Sequence, residues 1–390
     1  MTLPFSPEGV ASLVADNRVL ICCGSGGVGK TTIAAVLALE GARQGRNTCV
    51  ITIDPAKRLA DALGLEHLSD TPSDIDRTRW DDDGTAKPDG ALSALMLDTK
   101  STFDHLVTAN ATTPDQANRI LDNRFYRNVS GALGGTQEYM AMEKLHELHD
   151  AGDFDLIVID TPPTRHALDF LDAPRRLLRL LDNRIFRMLM MPTRAYLKVA
   201  SVAVQTFLRT VARVVGSEAI EDVVAFFRAF EGMEAGFRDR ALAVEALLAS
   251  PDTAFVLVTS PRRDAMEEAQ YFANQLDHQG QAIDALIVNR VHPTFGDETP
   301  AGLRAAAAEL AGRSDDAARR LAARYANLAD FREIADLERA HLEGVQTRVG
   351  AEAIAFVPYL ARDVYDFAAL REIGAVLFAP TVGSESPGTE

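Results

Sequence analysis

Short apolar runs alternate along the chain with longer stretches whose apolar positions recur every three to four residues. The runs at 19–23, 48–53, 92–97, 156–159, 255–259, 285–288 and 353–357 are near-continuous rather than alternating. That pattern suits strands covered on both faces. Between most of them lie helical patterns, such as 33–43 and 265–275. The alternation predicts an α/β fold built on a doubly wound, mostly parallel sheet. No repeat of fixed period is visible.

One stretch breaks the alternation. From 165 to 248 no strand pattern occurs. Leu177, Leu181, Ile185 and Leu189 fall on one helical face, and Tyr196, Ala200, Phe207 and Val211 form a second apolar face, followed by Gly216 as a C-cap. Ile220, Val224 and Phe227 open a third helix. The expected organisation is a sheet domain over 1–165, an inserted α-helical subdomain over 166–250, and a second part of the sheet domain over 251–380. That second part carries a helical excursion at 301–343, and 381–390 forms a disordered tail. The segment 70–89, rich in Asp, Thr, Pro and Gly, is expected to be a surface loop.

Composition narrows the function classes. A formal net charge of −16 over 390 residues disfavours a free nucleic-acid-binding surface, which needs a basic face. The three cysteines, Cys22, Cys23 and Cys49, lie in or beside apolar runs without metal-ligand spacing, as small buried hydrophobes do in a reducing compartment. The first residues carry Glu8 and Asp16 and lack the basic stretch of a signal peptide. The best apolar run, 199–208, is about half the ~18–20 residues needed to span a bilayer. The expected location is cytoplasmic.

The strongest chemical signal is GSGGVGKTT, Gly24 to Thr32. Its first eight residues fit GxxxxGK[ST], between a predicted strand and a predicted helix. Gly24, Gly26, Gly27 and Gly29 let the backbone curl, so that amides through Val28 and on to Thr32 converge on phosphate oxygens. The following helix directs its positive end at the anion. Lys30 adds a cation for the β- and γ-phosphates, and the Thr31 hydroxyl can ligate Mg²⁺. A second signal is LIVIDTPPTRHALDFL, an apolar strand ending in Asp160. Its carboxylate is placed to hold Mg²⁺ through water, or else simply caps the next helix. In TIDPAKRLADALG, Asp54 emerges at the carboxyl end of a strand, where ligands bind in such sheets. It either positions or deprotonates an attacking water, or forms a turn with Pro55.

Together these motifs resemble the ArsA and tail-anchored-protein-targeting ATPase family, within the deviant Walker A group of P-loop ATPases, and the chain looks like a bacterial ArsA-like member. The family's phosphate loop reads GKGGVGKTT. Its switch I is close to TDPAHNLSD, matched here by IDPAKRLAD ending at Asp61, and its switch II is DTAPTGHTLRFL, matched by DTPPTRHALDFL from Asp160. Similar segments extend to VLVTSP, VNR and VPYLARDVYDFAAL, so the resemblance covers nearly the whole chain. It implies ATP hydrolysis with Mg²⁺. Gly26, Gly27, Val28, Gly29, Lys30, Thr31 and Thr32 would bind phosphates. Asp54 would act on the water with Lys30 as the second catalytic group. Thr31 and Asp160 would serve the metal, and Asn289 would contact adenine under a loop at Pro358. Asp61, Thr161, Pro163, Arg165 and His166 would form switch elements. Family members work as facing pairs, so one phosphate loop implies a homodimer or a heterodimer with a paralogous ATPase.

One position departs from the family. Ser25 replaces a loop lysine that reaches across to the partner's phosphates, which implies slow turnover, a lysine-bearing paralogue, or a substitute cation such as Arg165 or Arg58. The Met-rich run around Met190 and Phe207 suits an apolar membrane-protein client or a membrane partner, or else packs the subdomain's own core. Glu138, Glu143 and Glu147 fall near one helical face and are expected to be solvated or at a subunit contact. The alternatives to a client-handling ATPase are a subunit of an anion or metalloid transporter and a weakly hydrolysing regulatory subunit.

Overall fold

The computed structural model describes residues 7–54, 58–129, 136–183 and 217–378. Among them, eight strands form one sheet: β1 (Val19–Gly24), β2 (Asn47–Thr52), β3 (Ser73–Asp74), β4 (Ala91–Met96), β5 (Leu156–Asp160), β6 (Thr253–Thr259), β7 (Ala285–Val291) and β8 (Ala353–Pro358). Their order is β3-β4-β2-β5-β1-β6-β7-β8. Every pairing is parallel except β3 with β4. All seven strands foreseen in the apolar pattern are present, and the α/β class is as expected.

The topology creates the site. The chain leaves β1 toward β2 on one side of it and later returns to β6 on the other. A crevice therefore opens at the carboxyl ends of β5, β1 and β6, the position where ligands bind in doubly wound sheets. The strands at that point are buried along their full length. Their alternate residues feed two separate cores, one on each face. Cys22 points into the core shared with the helix Lys30–Arg43, and Cys23 and Cys49 point into the opposite one.

A third apolar core lies beyond the sheet and is built mainly from helices. It joins Leu106, Ile120 and Tyr126 to Phe230, Phe237 and Ala241. Helices Thr99–Asn110, Pro114–Leu121 and Arg124–Val129, which precede β5, thus pack with Thr164–Asp182, Ser217–Phe230 and Glu234–Leu248, which follow it. Gln116 ties the two groups together: its side-chain amide donates to Ala229 O (2.8 Å) and Glu231 O (3.0 Å). The anticipated helical face through Ile185, Leu189 and the Met190–Phe207 run lies outside the described residues, as does the tail after 378. The second excursion is a pair of packed helices, Pro300–Ala311 and Asp316–Leu342. No helix of the described residues is long and apolar enough to cross a membrane.

Two local expectations are corrected. The segment 70–89 is not a plain loop: β3 pairs antiparallel with β4, and Asp76 caps the short helix Arg77–Trp80 through Thr78 N. Trp80 is buried and donates its indole N–H to Ile75 O (3.2 Å). Nor is Glu143 solvated. It is 2% exposed, accepts from the Tyr139 hydroxyl, and pairs with Arg240 Nε at 2.6 Å.

Candidate functional site

β1 ends at Gly24, where φ is +149° and a Cβ would stand 2.0 Å from the Val258 carbonyl oxygen of β6. Only glycine allows the two strands to pair while the chain turns out of the sheet. The loop then curls through Gly27 (φ +78°) and Gly29 (φ +99°) into the helix Lys30–Arg43. Gly29 is that helix's N-cap. It carries no side-chain cap, and no acidic residue occupies the first turn, which includes Thr31 and Thr32. The amides at the helix start are thus left for an external anion.

Asp160, last residue of β5, lies beside this loop. Its Oδ2 accepts from Thr31 Oγ1 (2.7 Å) and Thr52 Oγ1 (3.0 Å). Its Oδ1 is buried with no hydrogen-bond partner. Burial lifts the carboxyl's pKa to about 6, against the Thr31 hydrogen bond and the Lys30 charge. An orphaned carboxylate oxygen next to a free helix start fits a hydrated divalent cation, which prefers oxygen donors. Lys30 is buried and donates to Ser25 O (3.0 Å). Burial lowers its pKa, while Asp160 and the neighbouring thiols oppose the shift.

The remaining predicted residues differ in burial and in what they contact. Asp54 lies just after β2; its amide donates to Thr52 Oγ1 (3.2 Å) and its carboxylate is 3.5 Å from the Arg58 guanidinium. One hydroxyl, Thr52, therefore bridges Asp54 and Asp160. Asp61 is exposed on the short helix Arg58–Ala62, and residues 55–57 are outside the described set. Thr161 anchors the segment after β5, donating from both Oγ1 (2.7 Å) and N (3.2 Å) to Cys22 O. A side chain at Gly26 would touch the Pro163 ring. Arg165 and His166 belong to the helix Thr164–Asp182, but their side chains lie outside the described set. Ser25 is buried with its hydroxyl unpartnered.

On the other flank, a cavity of about 320 Å³ lies between the phosphate loop and the ends of β6, β7 and β8. Gly26, Val28, Arg262, Arg290 and Tyr359 help line it. Tyr359, directly after Pro358, stacks on His292 with ring centres 5.4 Å apart. Asn289 is not turned freely into this space: its side-chain amide donates to Val28 O (2.8 Å), and its Oδ1 accepts from Arg290 N (3.0 Å). Sequence reasoning missed Arg290, whose Nη1 donates to Gly27 O (2.8 Å). Its only sequence signal was its place beside Asn289 in the VNR segment.

The sequence profile of a family described as anion-transporting ATPase matches residues 17–305. An uncharacterized protein of Streptomyces coelicolor is 31% identical over 288 residues, 73% of this chain and 64% of its own length. ATPase ARSA1 of Chlamydomonas reinhardtii is 28% identical over 295 residues, 71% of this chain and 35% of its own. ATPase GET3 of Malassezia globosa is 29% identical over 164 residues, 42% and 44% of the two chains. The match thus spans less than two thirds of the length of each of these relatives.

Proposed function

The chain belongs to the anion-transporting ATPase family, and from that premise we propose that it is a Mg²⁺-dependent ATPase working as a nucleotide-gated dimer. The observation that carries this reading is Asp160: one oxygen held by Thr31 and Thr52, the other buried and unpartnered, beside an uncapped helix start.

On this reading, loop amides from Gly26 to Thr32 bind the phosphates, and Lys30 leaves Ser25 O to add its charge to them. Thr31 and Asp160 would hold Mg²⁺, Asp160 through water. When bound, the metal offsets negative charge on the transferring phosphoryl oxygens. Asp54 orients the attacking water and takes its proton, with the Arg58 guanidinium 3.5 Å from its carboxylate. The nucleoside would lie in the cavity beside Arg290 and Tyr359, the residues that follow Asn289 and Pro358. The segment Thr161–Pro163 runs from Asp160 straight into the helix Thr164–Asp182, so a change at the phosphates reaches the helical layer along a short covalent path. Residues 166–250 serve as the inserted subdomain that meets a client or partner. The pair is either two identical chains or this chain with a paralogue, in the cytoplasm.

The coupled cargo is read as an apolar membrane-protein segment. The family's description favours a second reading, a subunit of an anion or metalloid transporter. Thiol gating by a metalloid fits poorly here. All three thiols are fully buried, on two different faces of the sheet, and burial pushes those of Cys23 and Cys49 up to about 12. A weakly hydrolysing regulatory role is the third reading, resting on Ser25. Phosphate release by the wild type, Lys30→Ala and Ser25→Lys tests the set. Turnover lost in Lys30→Ala and raised in Ser25→Lys supports an active site short of one cation. Turnover unmoved by Lys30→Ala contradicts the reading. Capture of an apolar helical peptide, against stimulation by arsenite, separates the first two cargoes.

A further inference from the structure

The end of β7 departs from strand geometry at one place. In a strand, successive side chains point to opposite faces. Asn289 and Arg290 are successive, yet both reach the same loop: Asn289 Nδ2 meets Val28 O and Arg290 Nη1 meets Gly27 O, each at 2.8 Å. Two features make this possible. Arg290 has φ +64°, the one non-glycine residue with positive φ among the described residues. The pairing of β7 with β8 also shifts register between Val288 and Val291. A left-handed kink inside a strand irregularity folds the alternation, so that neighbouring side chains share a side. Such a backbone conformation is strained for a non-glycine residue and persists where the surroundings enforce it, commonly at functional sites.

The two pinned carbonyls belong to consecutive peptide units. In a trans peptide the N–H points opposite to the C=O, and the described residues contain no cis peptide bond. Holding Gly27 O and Val28 O toward β7 therefore turns the N–H groups of Val28 and Gly29 away from β7. Gly29 is also required for the fit, since a Cβ there would stand 2.2 Å from Asn289 Nδ2.

We propose that Asn289 and Arg290 form a backbone clamp that fixes the phosphate loop in its anion-binding conformation before any nucleotide arrives. The inference rests on the nucleotide-site reading above. Both are positioning residues, acting on the phosphates through the loop amides. The strained backbone at Arg290 is what lets one dipeptide grip two successive carbonyls. Orienting two donors in advance removes an ordering cost that the ligand would otherwise bear.

The test uses the full chain and two probes, ATP and inorganic tripolyphosphate, titrated by calorimetry with Mg²⁺. The variants are Asn289→Asp, which keeps the shape but sets a carboxylate against Val28 O, and Arg290→Gly, which removes the guanidinium while accepting the positive φ. Each is expected to weaken both probes alike, by about tenfold. Amide exchange at Val28 and Gly29 in the ligand-free chain should speed up in parallel. Arg290→Gly should also retain more thermal stability than Arg290→Ala, because only glycine accepts the kink without strain. Loss of ATP affinity with tripolyphosphate unchanged would overturn the clamp in favour of a base contact. Unchanged affinity for both probes would overturn it as well. If the wild type binds neither probe, the nucleotide reading falls and takes the clamp with it.

Discussion

Asp160→Asn separates what the site does for the fold from what it does for a ligand. The carboxyl is 1% exposed, and burial raises its pKa from 3.8 to about 6. At 1.36 kcal/mol per pH unit, that rise places roughly 3 kcal/mol against the ionised form in the folded chain. The folded state holds this proton more tightly than the unfolded state. The penalty is therefore complete above about pH 6 and absent below about pH 4, and stability from this group falls as pH rises between them. Asparagine keeps the shape, can still bond to Thr31 and Thr52, and never ionises. Ligand-free Asp160→Asn should thus be more stable than the wild type at pH 8, by about 1–3 kcal/mol in urea unfolding. The advantage should shrink toward zero near pH 4. Comparing the two proteins at each pH cancels the titration of other groups. Saturating ATP and Mg²⁺ should reverse the order at pH 8. The wild type would gain about 2.7 kcal/mol at a hundredfold excess over Kd, and the variant little. A ligand-free variant less stable than the wild type at pH 8 would refute the reasoning, because the buried charge would then be contributing to the fold rather than waiting for a cation.

Other outcomes follow from particular contacts. Gly24→Ala forces a Cβ to within 2.0 Å of Val258 O at a backbone angle that disfavours side chains; a loss of about 3 kcal/mol or more is expected in denaturant unfolding, and a near-neutral result would contradict the strand geometry. Arg240→Ala leaves the Glu143 carboxylate buried with only Tyr139 beside it. Because Arg240 is itself partly exposed, about 2 kcal/mol should be lost, with recovery in Arg240→Ala/Glu143→Gln. No loss in the single variant would show the pair to be idle. The three buried thiols should resist alkylation at pH 8 in the native chain and react promptly in denaturant; one fast-reacting thiol under native conditions would overturn their placement.

Much of this fold was legible in the sequence, and the exceptions share a physical cause. Strands buried on both faces are written as continuous apolar runs, which is why β1, β2 and β4 to β8 stand out. β3 spans two residues, too few for any period, and the polar setting of 70–89 hides the buried Ile75 and Trp80. The glycine-rich loop is contiguous, so its curled backbone reads directly from the stretch Gly24 to Thr32. Contacts between distant segments carry no local pattern. Nothing near Glu143 announces Arg240, and a sequence separation of 261 between Val28 and Asn289 conceals the bond that joins them. The helices at 99–129 likewise gave no sign that their apolar faces meet 217–248 in one core.

Titration of the purified chain with ATP in a calorimeter, with and without Mg²⁺, probes the site most directly. The geometry of Lys30, Thr31 and Asp160 predicts saturable binding of one nucleotide per chain, tightened by the metal, and its loss in Lys30→Ala. Absence of saturable heat in both buffers, for ATP and for ADP, would contradict a nucleotide site at this loop.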